Sequence, residues 1–118
     1  MNDHVPDIDR CKRLREMGFS QYEPLFLYVK RANSGRWTIE LRRALNDCAL
    51  VDWVAAPIVT ELIAEIQKAV PSTSRTWMEI SVMEDGVFVN LIGHEDAETY
   101  ADTLPNALAD LWLKEVER

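Results

Sequence analysis

The stretch from Asp102 to Arg118, DTLPNALADLWLKEVER, constrains the fold more than any other. Leu104, Ala107, Leu108, Leu111, Trp112 and Val116 recur at helical spacing, and Leu113 widens the stripe, so one broad side of a helix must be buried. A β-sheet is the expected cover. Asp102 or Thr103 can accept a backbone hydrogen bond at the start, and Pro105 falls in the first turn, where its missing N–H costs nothing. Asp110 precedes Lys114 by one turn, in the order that favours an exposed ion pair.

A second helix is expected from Pro57, with Ile58, Val59, Leu62, Ile63, Ile66 and Val70 on its apolar face, Glu61, Glu65 and Lys68 outside, and Pro71 as its stop. A shorter one starts near Asp7 and carries Ile8, Cys11 and Leu14 on one face. Gly18 ends it, with Phe19 as the hydrophobic contact of the cap.

Two hairpins complete the pattern. Leu25 to Arg31 is rich in β-formers; after Ala32-Asn33-Ser34-Gly35 an alternating run sends Trp37, Ile39 and Leu41 one way and Arg36, Thr38 and Glu40 the other. Arg42 to Asp47 is open between strand and helix, and Cys48 to Val54 between a short strand and a buried connection. The second hairpin runs from Thr76 to Met83 and from Val87 to Ile92 after a Ser/Thr loop at 72–74. Asp85-Gly86 signals a type I′ turn, which would set Val82 against Val89 and Ile80 against Leu91, with Met78 and Val87 on the same core face. Residues 94 to 102 read as an acidic connection.

These elements predict an α+β fold: a single domain over residues 1–118, with residues 1–6 mobile, and an antiparallel sheet from two hairpins packed against two or three helices. The two longer helices would cover the sheet and the first would pack at an end or edge.

Charge narrows function less. The net charge is −7, but residues 1–43 hold nine Lys/Arg against six Asp/Glu and the remainder four against fourteen. Such asymmetry can steer a charged partner. No run is long enough to span a membrane, and the N-terminus lacks the order of a secretory signal, so a cytoplasmic location is expected. Cys11 and Cys48 read as small core residues. His4 and His94 lack the spacing of metal ligands, and no activated nucleophile, phosphate loop or opposed pair of carboxylates is evident. No cofactor, no metal and no catalysis are expected. Gly18, Gly35, Gly86 and Gly93 are read as turn and cap residues.

Three stretches, CKRLREMGFSQ, WVAAPIVTELIAEI and DTLPNALADLWLKEVE, together resemble a family of small phage and prophage proteins with no assigned activity. Cys11, Gly18, Phe19, Gln21, Ala56, Pro57, Glu61, Leu62, Thr103, Leu104, Pro105, Ala107, Leu108 and Trp112 carry the likeness. Ser20 stands where the family has proline, Ile58 and Val59 replace a polar helix start, and the segment between Ala32 and Trp53 aligns with nothing in it. The resemblance implies an accessory protein that binds a protein, a host protein or a second copy of itself.

The candidate contact surface is the outer face of the second hairpin, Trp77, Met83, Phe88 and Ile92, which strand alternation turns away from the core. The bland alternative is that the first helix, or the segment around Cys48 to Val54, covers that face as a second core layer. A nucleic-acid-binding module using Arg10, Lys12, Arg13, Arg15, Lys30 and Arg31 is the alternative function; against it, Asp7, Asp9 and Glu16 lie among the cations and make a solvated helix face the plainer reading.

Overall fold

The computed structural model describes residues 3–45, 50–70, 77–94 and 96–117, with Trp77 described through its backbone alone. Cys48, Pro71, Glu95 and the 72–74 loop lie outside the described residues. The order of elements is α1 (Ile8–Glu16), β1 (Phe26–Arg31), β2 (Trp37–Leu41), a 3-10 turn at Arg42–Ala44, β3 (Leu50–Ala56), α2 (Val59–Ala69), β4 (Trp77–Met83), β5 (Gly86–Ile92), β6 (Glu98–Ala101) and α3 (Leu104–Val116). This is a single-domain α+β fold, as the pattern predicts. The hairpins do not share one sheet: each gains a third strand, giving antiparallel sheets ordered β2-β1-β3 and β4-β5-β6.

Both ends of α1 are set locally. Asp7 Oδ1 accepts from the Arg10 amide (2.9 Å). At the other end Gly18 takes φ +91°, its amide donates to the Arg15 carbonyl, and the Phe19 amide reaches back to the Leu14 carbonyl (2.9 Å). Those paired bonds are a Schellman cap, which favours glycine at the left-handed position. The cap drops Phe19 into the core, where its ring meets Trp112 edge-on with centroids 5.0 Å apart. The first helix, expected at an edge, instead joins two cores. Leu14 and Phe19 belong to the core under α3, whereas Ile8 and Cys11 pack with Tyr28, Val54 and Ala56 on one face of the first sheet. Val5 and Pro6, read from the sequence as part of a mobile terminus, are fully buried, and Pro6 offers its carbonyl to the Tyr28 hydroxyl (2.7 Å).

The open segment resolves into the short 3-10 turn and β3, an edge strand antiparallel to β1. On the other face of that sheet, Leu27, Val29 and Ala55 are covered by Leu45, Leu50 and Trp53. Helix α2 starts at Val59 without a side-chain cap at Ile58. Glu61, expected in solvent, turns back to accept from the Ile58 amide (2.9 Å) and the Leu25 amide (3.1 Å), tying the start of α2 to the loop before β1.

In the second sheet Ile80 faces Val89, Met78 faces Leu91 and Val82 faces Val87. The register therefore differs by two residues from the one expected, because the turn is Glu84-Asp85 and Gly86 is already in β5, opposite Met83. A shift of two keeps each side chain on its face, so the assignment of core and outer faces holds. The turn is not type I′, since neither Glu84, Asp85 nor Gly86 has positive φ. Gly86 serves a different purpose: a Cβ there would stand 2.6 Å from the Ala101 carbonyl and 2.5 Å from the Tyr100 hydroxyl. It is glycine because β6 and the Tyr100 ring lie directly over it.

That third strand is a correction, because Glu98–Ala101 read as an acidic connection. It pairs with β5 over Asn90↔Glu98 to Val87↔Ala101, and Thr99 donates its hydroxyl to the Ala107 carbonyl (2.7 Å), fastening the sheet to α3. Gly86→Val should destabilise the protein by about 2 to 3 kcal/mol, measured by urea unfolding. Adding Tyr100→Ala should not restore stability, because the Ala101 carbonyl remains in the way.

Candidate functional site

Helix α3 packs on β5, β6, α2 and α1, and β4 is not among its main partners. On the core-facing side of the second sheet Val87, Val89 and Leu91 of β5 are accordingly buried, and Met78 packs at their margin. Beyond that margin the cover ends. Ile80 is 40% exposed and Val82 82%, although both lie on the same face as the buried valines. Met83 on the opposite face is 52% exposed. β4 is thus an edge strand with apolar side chains in solvent on both faces.

Of the predicted outer-face residues, Met83 is exposed, Phe88 and Ile92 are half-buried, and the Trp77 side chain lies outside the described residues. Among the described residues of the covering layer weighed for this face, β3 belongs to the other sheet and α1 packs mainly on β3 and α3, while Cys48 and Ala49 lie outside the described residues. Sequence reasoning missed two members of this surface. Tyr100, opposite Phe88 on β6, is 48% exposed, and Val82 was assigned to the core. The hydroxyl of Tyr100 bonds Asp85, which raises its pKa above the ordinary phenol value.

The basic residues do not converge. Arg10 grips Asp110 with Nε (2.9 Å) and Nη2 (3.0 Å) and Asp7 with Nη1 (2.6 Å), and these bonds, Asp110 first, raise its pKa while partial burial opposes them. Arg13 pairs with Glu117 (2.7 Å), and Arg15 with Asp52 (3.2 Å) and the Trp53 carbonyl (2.7 Å). Arg31 is paired with Glu40, whose pKa falls below the usual carboxylate range chiefly through that hydrogen bond. Lys12 sits over the Trp37 ring at 5.0 Å, and Lys30 lies in β1 opposite Trp37 and Asp52. Phosphate binding of the counterion-releasing kind needs cations turned to a common surface. Here the arginines face carboxylates of α3, β2 and β3. The pair expected between Asp110 and Lys114 does not form either: Asp110 holds Arg10, and Lys114 Nζ donates to the Glu98 carbonyl (3.2 Å).

Three groups with chemical potential sit elsewhere. Cys11 is fully buried with Sγ 3.6 Å from the Pro6 carbonyl; burial, with a smaller effect of Asp7, pushes its thiol pKa far up. Burial likewise pushes Tyr28 up to about 12. His94 Nε2 lies 3.2 Å from Oε2 of Glu115, a buried carboxylate of α3. Among the described residues no three His, Cys, Asp or Glu side chains form a group able to hold a metal ion.

A cavity of about 370 Å³ is lined in part by Asp3, Asp7, Tyr28, Trp37 and Asp102, and a more apolar one of about 380 Å³ by His4, Phe26, Ile58, Val59 and Thr60. In the first, Asp7 is engaged by Arg10 and Asp102 by the Asn106 amide (2.8 Å). Comparison of the chain with protein-family models, curated proteins and solved structures gives no match.

Two outcomes follow. In a Cys48→Ser background Cys11 should resist alkylation in the native protein and react at the ordinary thiol rate in denaturant, since the thiolate is the reactive species. Phe88→Ser should lower unfolding free energy by about 1 to 2 kcal/mol, less than the 3 or more of a fully buried aromatic; chemical denaturation checks this.

Proposed function

We propose that this chain is a non-catalytic accessory protein of phage or prophage origin that acts by binding another protein chain in the cytoplasm of a bacterial host. The observation that supports this most is β4: a seven-residue edge strand carrying exposed Ile80, Val82 and Met83. An edge strand displays unpaired N–H and C=O groups to any extended chain that approaches, and proteins usually blunt such edges with lysine, proline or a bulge. WMEISVM holds neither lysine nor proline, and its ladder with β5 is unbroken. Met83, with Phe88 and Ile92 behind it, extends the apolar surface around the edge.

The groups that enzymes put to use are held differently. The thiol of Cys11 is fully buried, and Arg10, Arg13, Arg15 and Arg31 are engaged within the fold. No helix of the described residues is long and apolar enough to cross a membrane.

The test uses a single charge. Because Val82 is 82% exposed, Val82→Lys should leave the melting temperature within about 1 to 2 °C of the wild type. Retention of a protein partner on the immobilised chain should fall at least tenfold, about 1.4 kcal/mol. Partners retained equally by wild type and variant would count against this surface.

A further inference from the structure

The backbone of β4 is already arranged to accept one particular strand. The Leu91 amide donates to the Ala97 carbonyl (2.8 Å), so the peptide groups of Leu91 point to the β6 side. In an antiparallel ladder the direction alternates, so those of Gly86, Phe88, Asn90 and Ile92 point to β4. Their opposites, Met83, Ser81, Glu79 and Trp77, therefore turn toward β5. The N–H and C=O groups of Met78, Ile80 and Val82 are left pointing out of the sheet. Ile80 and Val82 carry the apolar ledge that α3 does not reach, and Met78 sits at its margin, packed against the core.

We infer that β4 pairs with β4 of a second copy, antiparallel about a two-fold axis through Ile80, joining two three-stranded sheets into one. This rests on the protein-binding reading of the same surface and names its occupant. The strand is complementary to itself in that register. Ile80 meets Ile80 of the partner copy and Met78 meets its Val82, so every outward backbone group finds a partner and the apolar ledges become continuous. Glu79, the only charged residue of the strand, falls opposite Ser81. The neighbouring registers are worse: an axis through Glu79 sets two carboxylates face to face, and one through Ser81 sets Met78 against Glu84. An interface of this kind is isologous and closes as a dimer without open-ended growth.

Of the other edge strands, β3 and β6 are unsuited. Along β3, Arg15 donates to the Trp53 carbonyl (2.7 Å) and the Gln21 side chain accepts from the Ala55 amide (2.9 Å), occupying the groups a visiting strand needs. β6 is four residues long and begins with Glu98. Charge also shapes the association: each copy carries −7, so two copies repel and added salt should strengthen the pairing by screening.

Sedimentation velocity of the full chain over a wide range of concentration should show a reversible monomer–dimer equilibrium that moves toward dimer as salt is added. Val82→Lys should raise the dissociation constant at least about tenfold, with its unfolding midpoint unchanged at concentrations where both proteins are monomeric. In a Cys48→Ser background, Ile80→Cys should form a disulfide-linked dimer under mild oxidation, because directly opposed residues in a hydrogen-bonded pair lie about 5.5 Å apart at Cα, within disulfide reach. Glu79→Cys, whose opposite residue is a serine, should cross-link far more slowly. A wild type that stays monomeric throughout, a dimer that Val82→Lys leaves unchanged, or equal cross-linking by the two cysteine variants would each overturn self-pairing. If the wild type is monomeric yet a lysate partner is lost in Val82→Lys, self-pairing fails and the protein-binding reading stands. If it is monomeric and no retained protein depends on Val82, both fail.

Discussion

The burial of α3 is the constraint on which the rest depends. Pro105, Asn106, Ala107, Leu108, Ala109, Leu111, Trp112 and Glu115 are all buried, which is more than one helix face, so a single sheet cannot cover the helix. α2 takes one flank, β5 and β6 another, and α1 runs alongside, meeting α3 at Asn106, Asp110 and the C-cap Glu117. Two polar residues within this apolar helix determine how α1 docks. Asn106 accepts from the Asp7 amide (2.8 Å) and donates to Asp102 (2.8 Å), while Asp110 takes the Arg10 fork one turn later. Buried amides left without such partners would each cost about 1 to 3 kcal/mol. The start of α1 is thereby held against the start of α3, and its Schellman cap then delivers Phe19 to Trp112.

What could be read from the sequence was governed by distance along the chain. The caps of α1 and α3 were legible because Asp7, Gly18, Phe19 and Thr103 act on backbone groups a few residues away. The hairpins were legible for the same reason, and the faces of β4 and β5 survived a register shift because alternation has period two. Strand β6 was hidden because Glu98 and its neighbours look like a solvated linker; its partner strand and the Thr99 bond to Ala107 supply what its own composition does not. Ion partners were illegible on principle. Asp110 has a well-spaced Lys114 on its own helix, yet binds Arg10, because a bidentate guanidinium pair that is partly buried outcompetes a solvated i,i+4 contact of a few tenths of a kcal/mol.

The candidate surface was half legible. Period two identified which residues of the second hairpin share a face, and Met83 is exposed as that reading requires. Period two cannot say where a covering helix stops. Val82 and Val87 face each other across one ladder and carry the same pattern signal, but Val87 is 8% exposed and Val82 82%. The difference is the width of α3, which spans β5 and β6 and leaves β4 outside. Exposure here is a property of the layer above the strand, and no feature of WMEISVM encodes it.

The β3 edge and the β4 edge are built differently, and the difference gives the surface its meaning. β3 has side chains from α1 and from the 19–24 loop bonded along its free side, Asp52 within it, and a register shift opposite Lys30 and Arg31. Each of these discourages a further strand. β4 keeps a single register with β5 throughout, and although it carries Glu79, its outward peptide groups coincide with its exposed isoleucine and valine rather than with that glutamate. Had the alternation been offset by one residue, the groups pointing out of the sheet would belong to Glu79 and Ser81, and an incoming strand would gain backbone bonds without apolar contact. As the chain is built, hydrogen bonding and apolar burial would be satisfied at the same three residues, Met78, Ile80 and Val82, which is the combination that strand addition requires.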